Sequence, residues 1–447
     1  MRKIFENQLQ FSYLIPKNKL GKKLEKISKI ISKNKKVLKK IFKDLIADKN
    51  HKVGRNGLNA DQVLRCAVLK SLMGFTYEEL AFHLSDSQSM KAFAKLNYLQ
   101  KPSKSSLQSN IKSISVDAWE AIHKELVHYG MDNKIESGNT TRIDATAVDT
   151  NIHKPSDSTL LQDGIRIITR TLHKAKELCP DLKFSDHNRA AKRRVLNIMH
   201  YKSKKRKKAY KKLLGLADNV VGYSRQAISL LSACNSPDIE DNLLSGSLKA
   251  ELEHNLKMLL NVIDQTQRRV LKEEEVPSNE KLISFFEPHS DIIKKDRRDT
   301  YYGHKIYLTA GKSGLIMDCH MPRGNPNDST LVGELINRQK EVLEKTPRQM
   351  AWDGGFASEK ALDQAKAAGV KDACFAKKRG LKVLDMVRSH WVYKKLRNFR
   401  AGIEAIISTL KRAFGLDRCT WKGWAGFKQY VWSSVVAFNL QVLANSE

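Results

Sequence analysis

The feature that most constrains the fold is the order in which strand-like and helical segments follow one another along this 447-residue chain. The sequence predicts a first strand at residues 141–150 and, much later, a hairpin at 303–310 and 315–320. After the hairpin, helix, strand, helix, strand and a long helix alternate. Because strands joined by helical crossovers run parallel with helices packed on the sheet, this order predicts a three-layer α/β domain.

A long helical stretch separates the first strand from the hairpin. Apolar residues recur within it at helical spacing, for example at Leu248 and Leu252. The sequence therefore predicts an α-helical insertion at residues 165–296, in the form of a helical hairpin, within a domain built from residues 131–164 and 297–447. Three strands followed by helix, strand, helix, strand and helix is the order of an RNase H-like sheet.

Lysine-rich, helix-forming sequence precedes this domain. Residues 1–50 are predicted to form a basic helical arm, whose charged face is either solvated or in contact with a DNA backbone. Residues 51–130 contain short helical patterns separated by capping residues, which is typical of a helix-turn-helix domain. A three-helix core without DNA binding has the same pattern. In the helix-turn-helix interpretation, the residues expected to contact DNA are Ser105, Gln108 and Lys112.

The net charge of +32 indicates a polyanionic partner. Eighty Lys and Arg residues stand against 48 Asp and Glu, and the basic residues are spread over several segments. We therefore expect DNA binding, with a ribosome-associated or membrane-surface protein as the alternatives. One basic cluster lies in the helical insertion, where Lys205 and Arg206 either contact DNA or belong to a scaffold or dimer surface.

The sequence carries no recognisable targeting signal or cysteine motif. No stretch approaches the roughly 18 to 20 consecutive apolar residues of a membrane span, and no signal-peptide pattern is found. The six cysteines are far apart and never in Cys-x-x-Cys spacing, which argues against a zinc site and a disulfide framework. We expect a reduced, cytoplasmic location, no membrane partner, and association with the nucleoid when DNA is bound.

Three carboxylates lie where an α/β sheet places functional groups. Asp144 is within the first strand, and strand alternation puts Asp149 on the opposite face. Asp353 ends a strand and is followed by two glycines, at the edge where such sheets form their ligand crevice. The third carboxylate, Glu404, lies on the long helix. Carboxylate oxygens suit Mg²⁺, and a pair of such ions promotes in-line phosphoryl transfer.

The helix around Glu404 presents a cationic face. Five residues recur there at offsets of three and four and so share one face, namely Arg397, Arg400, Glu404, Ser408 and Lys411. One interpretation is a ladder of salt bridges along the helix. In the other, which we favour, the cations contact DNA phosphates while the glutamate binds metal.

These residues resemble a known family, the DDE transposases encoded by bacterial insertion sequences. The pattern Arg400-x3-Glu404-x6-Lys411 is similar to the core of that family's C-terminal signature. The signature usually has a tyrosine three residues before its arginine, where this chain has Arg397. The resemblance extends over most of residues 50–445, including the predicted helix-turn-helix region.

The surroundings of Asp144 and Asp353 also resemble those of the family's first and second aspartates. The resemblance implies that Asp144, Asp353 and Glu404 are the catalytic residues and that they bind two Mg²⁺ ions, with Mn²⁺ as an alternative. Because the interval from Asp353 to Glu404 is short, the insertion must lie before Asp353. Relatives with a β-rich insertion before the glutamate are therefore a poor guide to this chain.

The function implied by the resemblance is that of a transposase. Such an enzyme binds the terminal inverted repeats of an insertion sequence, cleaves the DNA strands there and transfers them to target DNA. It is expected to work as a homodimer or higher multimer. Two alternatives share the same residues, an RNase H-like DNA nuclease without strand transfer and a catalytically inactive DNA-binding regulator.

Overall fold

The computed structural model describes residues 3–5, 16–47, 57–234, 238–295 and 299–446. The predicted domain boundaries at 50/51 and 296/297 lie outside these ranges. The chain divides into two compact units, of which one consists of Met1–Asn151 with Gly303–Glu447 and the other of Ile152–Tyr302. No helix in the described ranges is long and apolar enough to cross a membrane.

In the described ranges, seven α-helices precede the first strand. They are α1 (Lys19–Lys33), α2 (Leu38–Ile46), α3 (Ala60–Met73), α4 (Tyr77–Asp86), α5 (Gln88–Phe93), α6 (Lys104–Lys112) and α7 (Val116–Asp132). Side-chain hydrogen bonds cap the N-termini of all these helices except α2, as at α4, where Thr76 and Glu79 form the capping box that begins the helix. Helices α3, α4 and α6 pack on one another, so the short helical patterns do form a cluster.

The second unit is helical over most of its length. Its helices are α8 (Asp157–Leu178), α9 (Asn188–His200), α10 (Ser203–Ala233) and α11 (Ile239–Thr266). The predicted helical hairpin is therefore wrong in number, since four helices pack around a core that includes Ile168, Leu172 and Leu259. Helix α8 begins eight residues before the predicted start of the insertion, because the Ser156 and Thr159 side chains form a capping box there.

Within the part of the chain that the structure describes, the sheet has six strands, one more than the sequence predicts. They are β1 (Thr140–Asp149), β2 (Asp291–Lys295), β3 (Asp299–Ala310), β4 (Ile316–His320), β5 (Gln349–Trp352) and β6 (Asp372–Phe375). Their order is β2-β3-β1-β5-β6, with β4 paired to β3. Strand β1 is antiparallel to β3 and parallel to β5, and β5 is parallel to β6. Strand β2 falls within the predicted helical insertion, so that part of the prediction is wrong.

Helices cover both faces of this sheet. They are α12 (Val332–Leu343), α13 (Glu359–Ala367), α14 (Val383–Met386), α15 (His390–Ala413) and α16 (Gly423–Ser446). On one face, Ile143 and Tyr307 share a core with α12 and α13. On the other, Leu308 and Ile306 share a core with Ile403 of α15 and with the N-terminal helices. The result is a mixed α/β fold compatible with an RNase H-like domain.

Candidate active site

Asp144 is held at the centre of the sheet by the pairing of β1 on both sides. Its register partner on β3 is Leu308, and the β1–β3 register is continuous from Arg142 to Asp149. Because no bulge interrupts that register, Asp149 stays on the face opposite to Asp144. The side chain of Asp144 is only 14% exposed, so its charge lies in a largely desolvated position.

Asp353 follows β5 directly and begins a tight 3-10 turn at Gly354–Phe356. A Cβ atom added to Gly354 would lie 2.6 Å from the Lys377 side chain, and one added to Gly355 would lie 2.6 Å from the Asp328 carboxylate. Both positions therefore require glycine, because neighbouring side chains close on the turn from two sides. This packing explains why two glycines follow the aspartate.

Glu404 is positioned by the docking of α15 on β1. Ile403, Ile406 and Leu410 are buried, as the apolar face of the helix predicts. Arg142, on the same face of β1 as Asp144, donates a hydrogen bond from its Nη1 to the Phe399 carbonyl at 3.0 Å. Its guanidinium also packs so closely on Gly402 that a side chain there would overlap it. The register of α15 along β1 is thus fixed just before Glu404.

The three carboxylates converge on one guanidinium, that of Arg400. Its Nη2 lies 2.7 Å from Asp144 Oδ2 and 3.1 Å from Asp353 Oδ1, and its Nη1 lies 3.0 Å from Glu404 Oε1. Asp144, Asp353 and Glu404, called the acidic triad below, come from three separate elements of the fold. The structure thus brings together all three predicted catalytic residues and one predicted DNA-contacting residue.

This cluster contains more negative than positive charge, so an additional cation would stabilise it. Burial raises the pKa of the Asp144 carboxyl, and the neighbouring Asp353 and Glu404 charges raise it further, although Arg400 and the Ala145 N–H act in the opposite direction. The net pKa lies above the ordinary value. The buried Nε of Arg400 has no hydrogen-bond acceptor in the described ranges. One arginine is thus an incomplete counter-ion for three carboxylates.

The donor chemistry of the acidic triad fits a hard divalent cation. Its carboxylate oxygens are the ligands that Mg²⁺ prefers, and substrate and water oxygens can complete the shell. In the described part of the chain, however, no three His, Cys, Asp or Glu side chains are close enough to hold one ion as they stand. Arg400 lies between the three carboxylates, so it has to move for a metal to bind there.

The other predicted DNA-contacting residues lie in different surroundings. Arg397 is exposed on α15, whereas Lys411 pairs with Asp417 at 3.4 Å. On α6, Ser105 is exposed, Gln108 is half-buried, and the Lys112 ammonium lies over the Trp421 ring.

Lys205 and Arg206 are exposed on α10 and belong to the second unit.

Sequence reasoning missed Asp328, which accepts hydrogen bonds from Lys305 and Tyr307 and lies against the turn after Asp353. It also missed Lys377. The only sequence signal for both is the double glycine, which indicates close neighbours without identifying them.

Comparisons with known protein families agree with the fold and the geometry. The family model described as a transposase DDE domain matches residues 258–440, and a second, described as a transposase domain (DUF772), matches residues 10–113. Together they cover more than half of the chain. No curated protein and no solved structure matches it.

The class defined by fold, site and family models is that of the metal-dependent polynucleotidyl transferases, whose substrate is DNA. Within that class, the chain belongs to the DDE transposases of the insertion-sequence type. The resemblance noted from Arg400, Glu404 and Lys411 is confirmed at the level of the family.

Proposed function

We propose that this transposase binds the terminal inverted repeats of an insertion sequence and catalyses Mg²⁺-dependent strand cleavage and strand transfer at the acidic triad. The observation that supports this is the meeting of Asp144, Asp353 and Glu404, from a central strand, a strand end and a helix, around one cation. A surface salt bridge requires two partners, whereas three carboxylates around a single guanidinium leave a net negative charge, which is suited to divalent metal.

In this proposal the acidic triad holds two Mg²⁺ ions, with Mn²⁺ as a substitute. When bound, the ions activate the attacking oxygen and stabilise the leaving oxygen of an in-line displacement. Arg400 leaves the carboxylates and contacts a DNA phosphate, and Arg397 and Lys411 extend that contact along α15. Water attacks the phosphorus at the element end and displaces its 3′ oxygen, which leaves as a free 3′ hydroxyl. This hydroxyl then attacks a phosphorus of the target strand, and the target strand's own 3′ oxygen leaves as the new bond forms.

The N-terminal helices supply recognition of the ends in the same proposal. Residues 51–130 act as a helix-turn-helix domain in which α6 enters a major groove, using Ser105, Gln108 and Lys112. The packing of α6 on α3 and α4 supports this assignment. Residues 1–50 act as a basic arm on the DNA backbone, the carboxylates lie in a catalytic domain of residues 131–164 and 297–447, and the protein works in the cytoplasm on the nucleoid.

The helical insertion at residues 165–296 is proposed to hold DNA through the basic run that begins α10. Lys205 and Arg206 are exposed there, which supports a contact with phosphates. Because an insertion sequence has two ends, we propose that a homodimer or higher multimer brings them together.

The test uses linear DNA that carries the sequences flanking the coding region, incubated with the purified protein and Mg²⁺. Cleavage at the element ends followed by joined products is the expected result. Cleavage without joining would identify a nuclease, and binding without cleavage would identify an inactive regulator. Asp353→Ala should abolish both products, and unchanged activity in this variant would show that the acidic triad is not the active site.

A further inference from the structure

We propose that Lys377, at the end of β6, binds a phosphate of the substrate DNA beside Asp353. Neither the family resemblance nor the helix face around Glu404 assigns this residue. The inference rests on the proposed function, because it takes the acidic triad as the place where DNA reacts. Lys377 acts here as a positioning residue, which holds the strand next to the reacting phosphate.

The position of Lys377 is fixed by the pairing of β6, which it follows, with β5, which Asp353 follows. Trp352 and Phe375 are register partners in the parallel β5–β6 pair. The pairing continues one residue further, since the Ala376 N–H donates to the Trp352 carbonyl at 3.0 Å. Asp353 is the first residue after β5 and Lys377 is the second residue after β6. Because the two strands are adjacent and parallel, both residues leave the same edge of the sheet.

A side chain from α15 also anchors this strand end. The Tyr393 hydroxyl donates to the Phe375 carbonyl at 3.1 Å and lies 3.4 Å from the Ala376 carbonyl. Tyr393 precedes Arg397 by one helical turn, so its hydroxyl is used to hold the end of β6. The backbone before Lys377 is therefore tied to both β5 and α15.

The side chain of Lys377 runs across the turn that follows Asp353. Its Cβ and Cγ atoms lie 2.6 Å from the place where a Cβ on Gly354 would be. The aliphatic stem therefore packs directly on the Gly354 Cα atom, and the residue as a whole is exposed. A lysine commonly buries its stem in this way while the ammonium reaches solvent or a ligand.

Among the residues that the structure describes, Lys377 has no counter-ion. In the described ranges no acidic side chain pairs with Lys377, Lys378 or Arg379, whereas Arg400 has three such partners. Arg379 also adopts a left-handed backbone with φ +45°, a conformation that is uncommon for a residue with a side chain. A basic loop beside an acidic centre, without internal counter-ions, has the charge required to hold the DNA backbone there.

The experiment compares Lys377→Ala with Lys377→Arg and with Lys371→Ala, a matched control at the opposite end of β6. Binding to a duplex that carries the flanking sequences is measured without divalent metal at several salt concentrations. Losing one phosphate contact should lower the slope of log K against log salt by about 1 in Lys377→Ala. Lys377→Arg should restore the slope, and Lys371→Ala should leave it unchanged, with melting temperatures equal throughout.

End cleavage in Mg²⁺ distinguishes this proposal from the proposed function. At saturating DNA we expect cleavage by Lys377→Ala to be about 10-fold slower, with recovery in Lys377→Arg. If the wild-type protein cleaves and Lys377→Ala matches Lys371→Ala in slope and rate, the role of Lys377 is refuted while the function stands. If the wild-type protein fails to cleave but Lys377→Ala still shows the lower slope, the proposed function fails and the phosphate contact remains.

Discussion

Two arginine–carboxylate clusters in the first unit have opposite charge balances. In the N-terminal helices, Arg65 bonds to Asp61 at 2.7 Å and Lys95 adds a second cation at 2.9 Å. Around Arg400, three carboxylates share a single cation. Burial by itself raises the pKa of Asp61, but its two cations bring the pKa below the ordinary value, whereas the pKa of Asp144 is raised.

The two arginines also differ in how completely their hydrogen-bond donors are satisfied. Arg65 is fully buried, and its guanidinium also donates to the hydroxyls of Ser28 and Ser32 and to the Phe93 carbonyl. Arg400 leaves its buried Nε without an acceptor in the described part of the chain. A closed, satisfied pair is typical of structure, and three carboxylates that share one cation are typical of a site that binds a further cation.

The largest effect is expected from Asp353→Asn. Removal of one carboxylate charge from the acidic triad should slow Mg²⁺-dependent end cleavage by about 10³-fold, equivalent to about 4 kcal/mol in the activation free energy. The control is Asp363→Asn, an exposed aspartate on α13, which should cleave normally. Comparable cleavage rates in the two variants would show that the cluster around Arg400 is not a functional site.

Arg65→Met should have the largest effect on stability. It leaves the Asp61 carboxylate buried with Lys95 as its remaining partner, so we expect a loss of about 3 kcal/mol in the free energy of unfolding. Urea denaturation of the metal-free protein measures the change, with the exposed Arg348→Met as control. A loss no greater than that of the control would show that the cluster is not a structural pair.

Arg400→Gln tests the excess of negative charge around Arg400 directly. Without its guanidinium the three carboxylates repel one another, and the metal-free protein should lose about 1–2 kcal/mol of stability. Mg²⁺ should then raise the melting temperature of the variant more than that of the wild type, since no cation competes for the site. EDTA should reverse the gain. Arg397→Gln, on the same helix face, should show neither effect.

The smallest effect is expected at His123, a core histidine remote from both arginines in sequence. Burial lowers its pKa from 6.5 to about 4. The unfolded chain therefore takes up a proton at higher pH than the folded protein, and stability is lost as pH falls below 6.5. Between pH 6.5 and about pH 5.5 this group alone should cost about 1 kcal/mol. His123→Gln should flatten the curve, whereas the exposed His390→Gln should not.

Much of the catalytic fold follows from local sequence signals. Strand alternation gives the orientation of Asp144, the double glycine gives the end of β5, and the apolar spacing of α15 gives the face that carries Glu404. These signals are local because each depends on residues within one element. Strand β2 is missed because it is only five residues long and lies at one end of the strand order.

Contacts between elements could not be predicted in the same way. The sequence places Arg400 on the helix face of Glu404, but its position among three carboxylates depends on how α15 crosses β1 and β5. The contact of Lys377 with Gly354 depends on the parallel register of β5 and β6. Both are consequences of tertiary packing, for which a single sequence contains no direct signal.

The split of the first unit into two chain segments has a consequence for synthesis on the ribosome. Asp144 and Glu404 are about 260 residues apart, and at roughly 5–20 residues per second the glutamate emerges about 13–50 s after the aspartate. For the first part of that delay β1 lacks both of its neighbours, because β3 and β5 are made later than β1 and before Glu404. In the proposed function, a nascent chain therefore cannot cut DNA before Glu404 has been translated.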